Sequence, residues 1–229
     1  MKVLVTGASG MLGRATALAL AERGDEVTVL QRGTSGLDLR EVRGDVADAE
    51  VVDAAMRGQE AVVHLAARVG VVGTAAEFER ANVTGTETVR TAARAAGVGR
   101  LVHVSTPSVA HAGEPLVGAG ASPADPERAI GHYARTKARA EQLALAAAGD
   151  LALAAAGDLA VVAIRPHLVW GPGDTQLIGR IVARARAGRL ALVDDGAALI
   201  DTTYVDNAAD ALVAALDRAE DARVRGRAF

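Results

Sequence analysis

Cysteine is absent from the 229-residue sequence, and aromatic residues are scarce, with one Trp, two Tyr and two Phe. Without cysteine the chain can form neither disulfides nor cysteine-ligated zinc, and no other metal site emerges from the sequence. A core with so few aromatic rings has to be built from alanine, valine and leucine. Such a composition suits helices packed closely on a parallel sheet, so it favours an α/β fold over an all-β fold.

The sequence also lacks an excess of charge and long hydrophobic runs. Its 25 basic and 28 acidic residues are interspersed, and no basic stripe is available to neutralise the phosphates of a nucleic acid. Charged residues interrupt the apolar helices well before the roughly 20 residues that are needed to cross a bilayer. The opening MKVLV meets a glycine turn at once, which is too short for the apolar core of a signal peptide. We therefore expect a soluble, cytoplasmic protein without a nucleic-acid partner.

Short branched apolar runs alternate with alanine-rich stretches along the chain. These runs are found at residues 3–6, 26–30, 39–42, 61–65, 101–105 and 159–164. Strands that alternate with helices build a parallel sheet with helices on both faces, so the sequence predicts a Rossmann-type, doubly wound α/β fold. Residues 1–170 are expected to form one domain, and 171–229 the start of a substrate lobe and a return to that domain. Because the chain stops at Phe229 as another strand begins, this small C-terminal lobe is expected to be incomplete.

An eight-residue string, LALAAAGD, occurs twice in succession, at residues 143–150 and 151–158. Eight residues rotate a helix by about 80° beyond two full turns, so a continuous helix would turn its apolar stripe away from the core. One interpretation therefore ends the helix at Gly149, and the other keeps Gly149 inside a longer helix at a cost of roughly 1 kcal/mol. In both, the repeat lies towards the edge of the sheet opposite the carboxyl ends of the strands.

The segment after the last long run carries weaker signals. The residues GPGD after Trp170 open a loop, a helix is predicted over about 176–187, and 190–193 is expected to be a small strand. Trp170 either packs beneath the substrate lobe or forms an aromatic wall for an apolar substrate. The apolar segment 115–120 either lines the substrate pocket or is a structural loop.

A glycine-rich turn, TGASGMLG, follows the first strand directly and precedes the first helix. At this place Gly7 permits the tight turn, Gly10 lets the backbone reach a pyrophosphate, and Gly13 allows close packing of the helix. The free N–H groups at the start of the helix attract the anion. This context favours a dinucleotide site in residues 1–170 over a purely structural turn. The predicted phosphate-binding residues are Gly7, Ser9, Gly10, Met11, Leu12 and Gly13.

The second strand ends at Leu30-Gln31-Arg32, where a site that prefers NAD would usually carry an acidic residue for the ribose hydroxyls. Arg32 and Arg14 can instead pair with a 2′-phosphate, so NADP is the predicted cofactor and NAD the alternative. In the competing interpretation both arginines are solvated surface residues. Asp45, with Val46 beside it, is expected either to accept a hydrogen bond from the adenine amino group or to cap the next helix.

Tyr133 and Lys137 stand four residues apart and share one face of a helix. The ammonium can lower the pKa of the phenol while it touches the nicotinamide ribose, which makes the pair a proton donor. The fifth strand ends at Ser105 and Thr106, and a hydroxyl at the carboxyl end of a strand lies beside the bound nicotinamide. Three polar groups are therefore expected to converge.

The order of the motifs TGASGMLG, STPS, YARTK and RPHLVWGPGD resembles the extended short-chain dehydrogenase/reductase family, within the NAD-dependent epimerase/dehydratase superfamily. The resemblance covers nearly the whole chain. The string DTTYVDNA at residues 201–208 resembles the 3β-hydroxysteroid dehydrogenase branch. STPSV and WGPGD are similar to the 2-alkyl-3-oxoalkanoate reductases of bacterial olefin synthesis.

The resemblance implies a catalytic triad of Thr106, Tyr133 and Lys137, in which Tyr133 is the general acid or base and the Thr106 hydroxyl polarises the substrate oxygen. Ser105 is the fallback for Thr106, because a slip of one residue reverses which side chain faces the cofactor. The remaining implied cofactor contacts are Leu65, Ala66, Ala67, Asn82, Pro166, the backbone of His167, and Leu168. His64 and His103 lie inside strand patterns and are interpreted as core or supporting residues.

The leading functional hypothesis is an NAD(P)-dependent interconversion of an alcohol and a ketone on a small hydrophobic substrate of the 3-oxoalkanoate or 3β-hydroxysteroid type. One rival is a sugar-nucleotide epimerase, for which Arg180, Arg184, Arg186 and Arg189 would either meet a diphosphate or only solvate a helix. A dehydratase is disfavoured because Pro107 and Ser108, not acidic residues, follow Thr106. The other rival is a dinucleotide-sensing regulator without chemistry, and the intact Tyr133–Lys137 pair argues against it. A homodimer is left open.

Overall fold

The structure is a computed structural model that describes residues 1–113, 117–146, 159–174, 178–191, 195–196 and 199–229. Its centre is a parallel sheet of six strands in the order β3-β2-β1-β4-β5-β6. The strands are β1 (Lys2–Thr6), β2 (Glu26–Gln31), β3 (Arg40–Arg43), β4 (Ala61–His64), β5 (Arg100–Val104) and β6 (Ala160–Ile164). Each of these six strands falls on one of the six alternating runs expected to form the sheet, and the predicted Rossmann-type fold is confirmed.

Helices connect these strands in the order that the alternation predicts. They are α1 (Met11–Glu22), α2 (Ala49–Met56), α3 (Ala75–Phe78), α4 (Gly85–Ala95), α5 (Gly131–Ala146), α6 (Ile178–Arg186) and α7 (Val205–Asp217). A π-helical turn over Glu79–Thr84 joins α3 to α4, and a 3₁₀ turn over Pro107–Ala110 follows β5. Two of the helices begin with a capping side chain, since Asp48 caps α2 and Thr74 forms a capping box with Glu77 at α3.

Both faces of the sheet are covered. Leu20 of α1 and Leu212 of α7 belong to the core on one face, whereas Met56 of α2, Val89 of α4 and Ala144 of α5 belong to the other. Burial of each large aliphatic side chain contributes roughly 1.5–3 kcal/mol, and the many alanines let the helices lie close to the strands. The chain leaves β1 towards β2 on one side and returns to β4 on the other. This reversal opens a crevice at the carboxyl ends of the strands, where ligands of such sheets bind.

The C-terminal part contains a second, small sheet and then returns to the first. β7 (Val169–Trp170) pairs in parallel with β8 (Thr203–Tyr204), and α7 follows directly and packs on α1. At the end of the chain, Ala228 forms an isolated parallel bridge with Ala163 of β6. Hydrogen bonds of 3.0 Å from Phe229 N to Ala163 O and of 2.7 Å from Arg165 N to Phe229 O support it.

Some of the predicted elements lie partly or wholly outside the described residues. The helix predicted over 176–187 is α6, but Leu190 and Ala191 are not in a strand, and 192–194 lie outside the described residues. Most of the LALAAAGD repeat, including Gly149, also lies outside them. In the ranges that the structure describes, no helix combines the length and apolar character required to cross a membrane.

Candidate active site

A cavity of about 920 Å³ opens at the carboxyl ends of the strands. It brings together nearly all of the residues that the sequence proposed for the cofactor and for catalysis. From that set it is lined by Gly7, Ser9, Gly10, Met11, Leu12, Gly13, Arg32, Asp45, Val46, Leu65, Ala66, Ala67, Ser105, Thr106, Tyr133, Lys137, Pro166, His167 and Leu168. Arg14 and Asn82 are not part of its lining.

The glycine turn has the geometry that a pyrophosphate requires. Gly7 has a φ of +81°, and a Cβ there would lie 2.9 Å from the backbone nitrogen of Ala66. A Cβ at Gly13 would lie 2.3 Å from Gly7 O, so α1 can approach the turn only without a side chain. Gly10 is the N-cap of α1 and supplies no capping side chain. The first N–H groups of the 12-residue α1 therefore remain available to an anion, and the turn fits a dinucleotide phosphate.

Asp45 and Arg80 line the end of the cavity where the sequence predicts the adenosine. The Asp45 carboxylate accepts a hydrogen bond of 2.9 Å from Ala47 N, and its other oxygen lies 3.4 Å from the Arg80 guanidinium. Asp45 therefore organises its own turn, whereas Asp48 caps α2. The alternative in which Asp45 caps that helix is wrong. An adenine contact of Asp45 remains a prediction, since Asp45 lines the cavity.

The two arginines that were expected to flank a 2′-phosphate lie differently. Arg32 is exposed and lines the cavity, directly after β2. Arg14 does not line it, because its Nη1 donates a hydrogen bond of 3.1 Å to the carbonyl oxygen of Ser35 in the loop after β2. The expectation that both arginines reach the cavity is therefore corrected to Arg32 alone.

Glu41 is a supporting residue that the sequence did not reveal. One of its oxygens accepts hydrogen bonds from Gln31 Nε2 at 2.7 Å and from the N and Oγ of Ser35 at 2.8 and 2.7 Å. The backbone hydrogen bond from Ser35, with help from Arg43, lowers the pKa of Glu41 to about 2. This carboxylate holds the loop after β2 in place. The Glu41 carboxylate lies beside Gln31 because β2 pairs with β3. No local sequence motif predicts this pairing.

Tyr133 and Lys137 share the cavity-facing side of α5, as their spacing predicts. The Nζ of Lys137 donates a hydrogen bond of 2.6 Å to Val104 O at the end of β5. Burial lowers the pKa of Lys137 to about 8, although the charge of Glu141 opposes this shift. Burial raises the pKa of Tyr133 above its ordinary value, and a hydrogen bond with Thr106 acts against the rise. The expected lowering of the phenol pKa is thus wrong here, because desolvation is the larger effect.

Thr106 and Ser105 occupy different environments at the end of β5. Thr106 is close enough to Tyr133 to act against the rise in its pKa, and its Oγ1 lies 2.7 Å from Ser108 Oγ. Ser105 is buried, and its Oγ has no hydrogen-bond partner in the part of the chain that the structure describes. The hydroxyl beside the phenol is therefore that of Thr106, while Ser105 presents an unpaired hydroxyl in the same wall.

Two buried histidines lie behind this wall. His64 Nδ1 is 2.8 Å from Thr6 Oγ1, and its Nε2 is 3.1 Å from Thr86 Oγ1. The ring of His103 lies 5.7 Å from that of His64. Burial, followed by the charge of Lys137, lowers the pKa of His64 to about 3 and that of His103 well below its ordinary value. Both rings are neutral and support the site from inside, in agreement with the interpretation of their strand positions.

Asn82 holds two parts of the site together from behind and does not line the cavity. Its Oδ1 accepts a hydrogen bond of 2.7 Å from Arg68 N, and its Nδ2 donates to Arg68 O at 3.1 Å and to Thr136 Oγ1 at 3.0 Å. The π-helical turn that contains Asn82 directs it into the protein, where it is 1% exposed. The predicted direct cofactor contact is therefore corrected to a structural link between the loop after β4 and α5.

The segment after β6 closes one side of the cavity. Leu168 has a φ of +31°, an unusual conformation for a residue other than glycine, and its carbonyl accepts a hydrogen bond of 3.3 Å from Thr203 N. This bond ties the cavity wall to β8. Trp170 does not line the cavity but packs edge-to-face on Tyr204 at 5.2 Å between ring centroids, which matches its expected packing role. In the segment 115–120, residues 115–116 lie outside the described ranges and 117–120 are exposed away from the cavity.

Comparison with known proteins gives a family and several relatives. The model of the NAD dependent epimerase/dehydratase family matches residues 3–227. The chain is 45% identical to a 2-alkyl-3-oxoalkanoate reductase of Stenotrophomonas maltophilia, with 100% of the chain and 69% of that protein covered. It is 31% identical to a 3 beta-hydroxysteroid dehydrogenase/Delta 5→4-isomerase of Mycobacterium tuberculosis, with 100% of the chain and 64% of that protein covered.

A solved structure with the same fold is MoeE5 in complex with UDP-glucose and NAD. The two chains are 32% identical, with a TM-score of 0.80, and the match covers 100% of this chain and 74% of the other. The chain thus spans roughly two thirds to three quarters of the length of these three proteins.

Proposed function

The chain belongs to the NAD-dependent epimerase/dehydratase family, and on this premise we propose that it interconverts a secondary alcohol and a ketone on a small hydrophobic substrate. The observation that carries the proposal is the cavity shared by the glycine turn, Thr106, Tyr133 and Lys137. The relatives named as an oxoalkanoate reductase and a hydroxysteroid dehydrogenase support the same chemistry. In this proposal residues 1–170 hold the dinucleotide, and 171–229 begin the substrate lobe and return to the first domain.

The proposed cofactor is NADP, held by the glycine turn and by Arg32. The family is NAD-dependent, and the choice of the phosphorylated form rests on Gln31 and Arg32, which stand where an acidic residue would favour NAD. Both line the cavity, and Arg32 has no ion-pair partner among the described residues. When bound, the nicotinamide supplies the hydride to the carbonyl carbon, or takes it from the alcohol carbon in the opposite direction.

The chain's own residues orient the substrate and move the proton. The Thr106 hydroxyl donates a hydrogen bond to the substrate oxygen, and the Tyr133 hydroxyl gives that oxygen its proton as the carbonyl is reduced. Because burial raises the pKa of Tyr133, its phenol is protonated at neutral pH and suited to this donation. The Lys137 ammonium, fixed by its hydrogen bond to Val104 O, is placed to hold the ribose of the cofactor.

An epimerase acting on a sugar nucleotide is the second candidate, favoured by the similarity to the structure of MoeE5 in complex with UDP-glucose. The arginines that were considered for a diphosphate count against it. Arg180, Arg184 and Arg186 lie on α6 and Arg189 follows it, and all four are exposed and absent from the cavity lining. The alcohol–ketone reaction is therefore the better supported proposal. A dinucleotide-sensing regulator without chemistry would give no function to Tyr133 and Thr106 in the cavity.

Turnover separates the two candidates. The protein is incubated with NADPH or NADH and a 2-alkyl-3-oxoalkanoate, with NADP or NAD and a 3β-hydroxysteroid, and with UDP-glucose. The proposal expects absorbance at 340 nm to change in proportion to the ketone or alcohol formed. Conversion of UDP-glucose to an epimer without net change in the dinucleotide, together with no turnover of the first two substrates, would contradict it.

A further inference from the structure

Arg68 is a cavity residue that the proposed chemistry does not yet use. It follows β4 by four residues and lines the same cavity as Tyr133. Its backbone N and O both bond to Asn82, at 2.7 and 3.1 Å, and the same amide bonds to Thr136, one residue before Lys137. The backbone of Arg68 is therefore linked to the catalytic helix α5 through the side chain of Asn82.

The guanidinium of Arg68 is held on the aromatic ring of Phe78. Its Cζ lies 5.4 Å from the centroid of the Phe78 ring, and Phe78 is fully buried. The Phe78 ring in turn lies 6.1 Å from the ring of His132, the residue that precedes Tyr133. A cation stacked on such a ring keeps a planar, predefined orientation, which favours recognition of a planar anion.

The present partners of the Arg68 guanidinium do not occupy all of its hydrogen-bond donors. Nη2 donates to Val72 O at 3.2 Å and lies 3.4 Å from the Glu77 carboxylate. Glu77 is half exposed, and its carboxylate already accepts the N and Oγ1 of Thr74 at 2.7 and 3.2 Å. Among the described residues nothing accepts a hydrogen bond from Nη1, and the buried Nε is unpartnered. A guanidinium offers five donors, and because Nε is packed against Gly73, the donors left for a ligand are those of Nη1 and the remainder of Nη2.

The other cations of the cavity have different surroundings. Arg80 pairs with Asp45 at the adenosine end, and Lys137 is fixed to Val104 O. Arg32 lies after β2, at the end proposed for the 2′-phosphate. Arg68, beside the helix of Tyr133, is therefore the cation best placed for the substrate.

We propose that Arg68 binds the carboxylate of a 3-oxo or 3-hydroxy acid while Tyr133 and Thr106 hold the oxygen that reacts. This inference rests on the proposed alcohol–ketone reaction and specifies its substrate class. An arginine and a carboxylate form paired, charge-assisted hydrogen bonds, which a neutral analogue of the same shape cannot make. The site therefore discriminates between an acid and its amide, independently of the hydride chemistry.

The test compares oxidation of 3-hydroxydecanoate with that of 3-hydroxydecanamide, which has the same carbon skeleton without the charge. Wild type is expected to favour the acid. In Arg68→Gln, kcat/KM for the acid should fall about 10- to 100-fold, mainly through KM, while that for the amide changes less than about twofold. Arg68→Lys should restore part of the loss, and Arg80→Gln, which removes a paired cavity cation, should leave the preference for the acid intact.

Binding gives a second readout. Titration calorimetry with the NADPH-saturated protein, in which the hydroxy compounds cannot be oxidised, should show weaker binding of the acid, and unchanged binding of the amide, in Arg68→Gln. Equal losses for acid and amide, or the same selective loss in Arg80→Gln, would overturn the role of Arg68. Wild-type turnover of the amide by itself tests the alcohol–ketone reaction. If the amide is oxidised and wild type shows no preference for the acid, the proposed role of Arg68 is contradicted and the alcohol–ketone reaction is retained. If neither compound is turned over, the role of Arg68 and the alcohol–ketone reaction are both contradicted.

Discussion

The Nζ of Lys137 lies 3.4 Å from Nε2 of the buried His103. Both groups are desolvated, so the imidazole is neutral and the ammonium is less stable than it would be in water. The hydrogen bond to Val104 O at 2.6 Å and the charge of Glu141 retain the proton on Lys137 at neutral pH. This arrangement makes the charge of Lys137 sensitive to moderately alkaline pH.

The first prediction is an alkaline limit to binding of the dinucleotide. The pKa of Lys137 is lowered from its ordinary value to about 8, so the ammonium is present below that pH and is lost as the pH rises through it. We expect kcat/KM for NADPH to fall above about pH 8. The pKa of Tyr133 is raised, so Tyr133 does not titrate in this range. A Lys137→Arg variant keeps its charge and should lose this limit, and a wild-type profile that stays flat to pH 10 would refute the assignment.

The second prediction concerns Gly13, where a Cβ would lie 2.3 Å from Gly7 O. In Gly13→Ala the helix must move away from the turn, so we expect the free energy of unfolding to fall by about 1–3 kcal/mol and NADPH affinity to drop. Urea denaturation and fluorescence titration measure the two effects. Gly120→Ala is the matched control, because a Cβ there meets open space. Normal NADPH affinity in Gly13→Ala would argue against the turn as the phosphate site.

A third prediction tests the choice between NADP and NAD. Arg32→Asp places a carboxylate at the end of β2, where it repels a 2′-phosphate and can accept hydrogen bonds from ribose hydroxyls. The ratio of kcat/KM for NADPH over NADH should fall by about tenfold or more. Arg57→Asp makes the same charge change at an exposed position outside the cavity and should leave the ratio unaltered. An unchanged ratio in Arg32→Asp would contradict a contact with the 2′-phosphate and favour the interpretation of Arg32 as a solvated surface residue.

The fourth prediction concerns the buried ion pair between Arg165 and Glu141. Nε and Nη2 of Arg165 donate to the carboxylate at 2.8 and 2.5 Å, and the side chains are 6% and 1% exposed. Arg165→Met leaves a buried carboxylate without its partner, so thermal or urea unfolding should show a loss of about 3–5 kcal/mol. Arg223→Met removes an exposed pair with Asp221 and should change stability little. Equal effects in the two variants would show that burial of the first pair is unimportant.

Much of the fold could be predicted because its signals are local. Five strands of the large sheet are branched apolar runs, whereas β3 has the sequence REVR. The glycine turn and the Tyr133–Lys137 spacing each lie within a few residues of sequence. The two-residue strands β7 and β8 carry no periodicity, so their pairing could not be foreseen.

The supporting residues could not be predicted because they depend on contacts between distant segments. Glu41 supports the loop after β2 only through the register of β2 and β3. Asn82 bonds to Arg68 and Thr136 because the π-helical turn aims it inward, and the sequence gives no sign of that turn. The pKa of Tyr133 follows from burial, which the four-residue spacing does not encode.

The central claim is that Tyr133 moves the proton beside a dinucleotide bound on the glycine turn. Tyr133→Phe removes the hydroxyl and keeps the ring, and Tyr204→Phe does the same to the other tyrosine, which packs on Trp170 outside the cavity. Single-turnover reduction of a 3-oxoalkanoate with saturating NADPH should slow about 10²- to 10⁴-fold in Tyr133→Phe, with NADPH affinity retained, and stay near wild type in Tyr204→Phe. A wild-type rate in Tyr133→Phe would contradict the account.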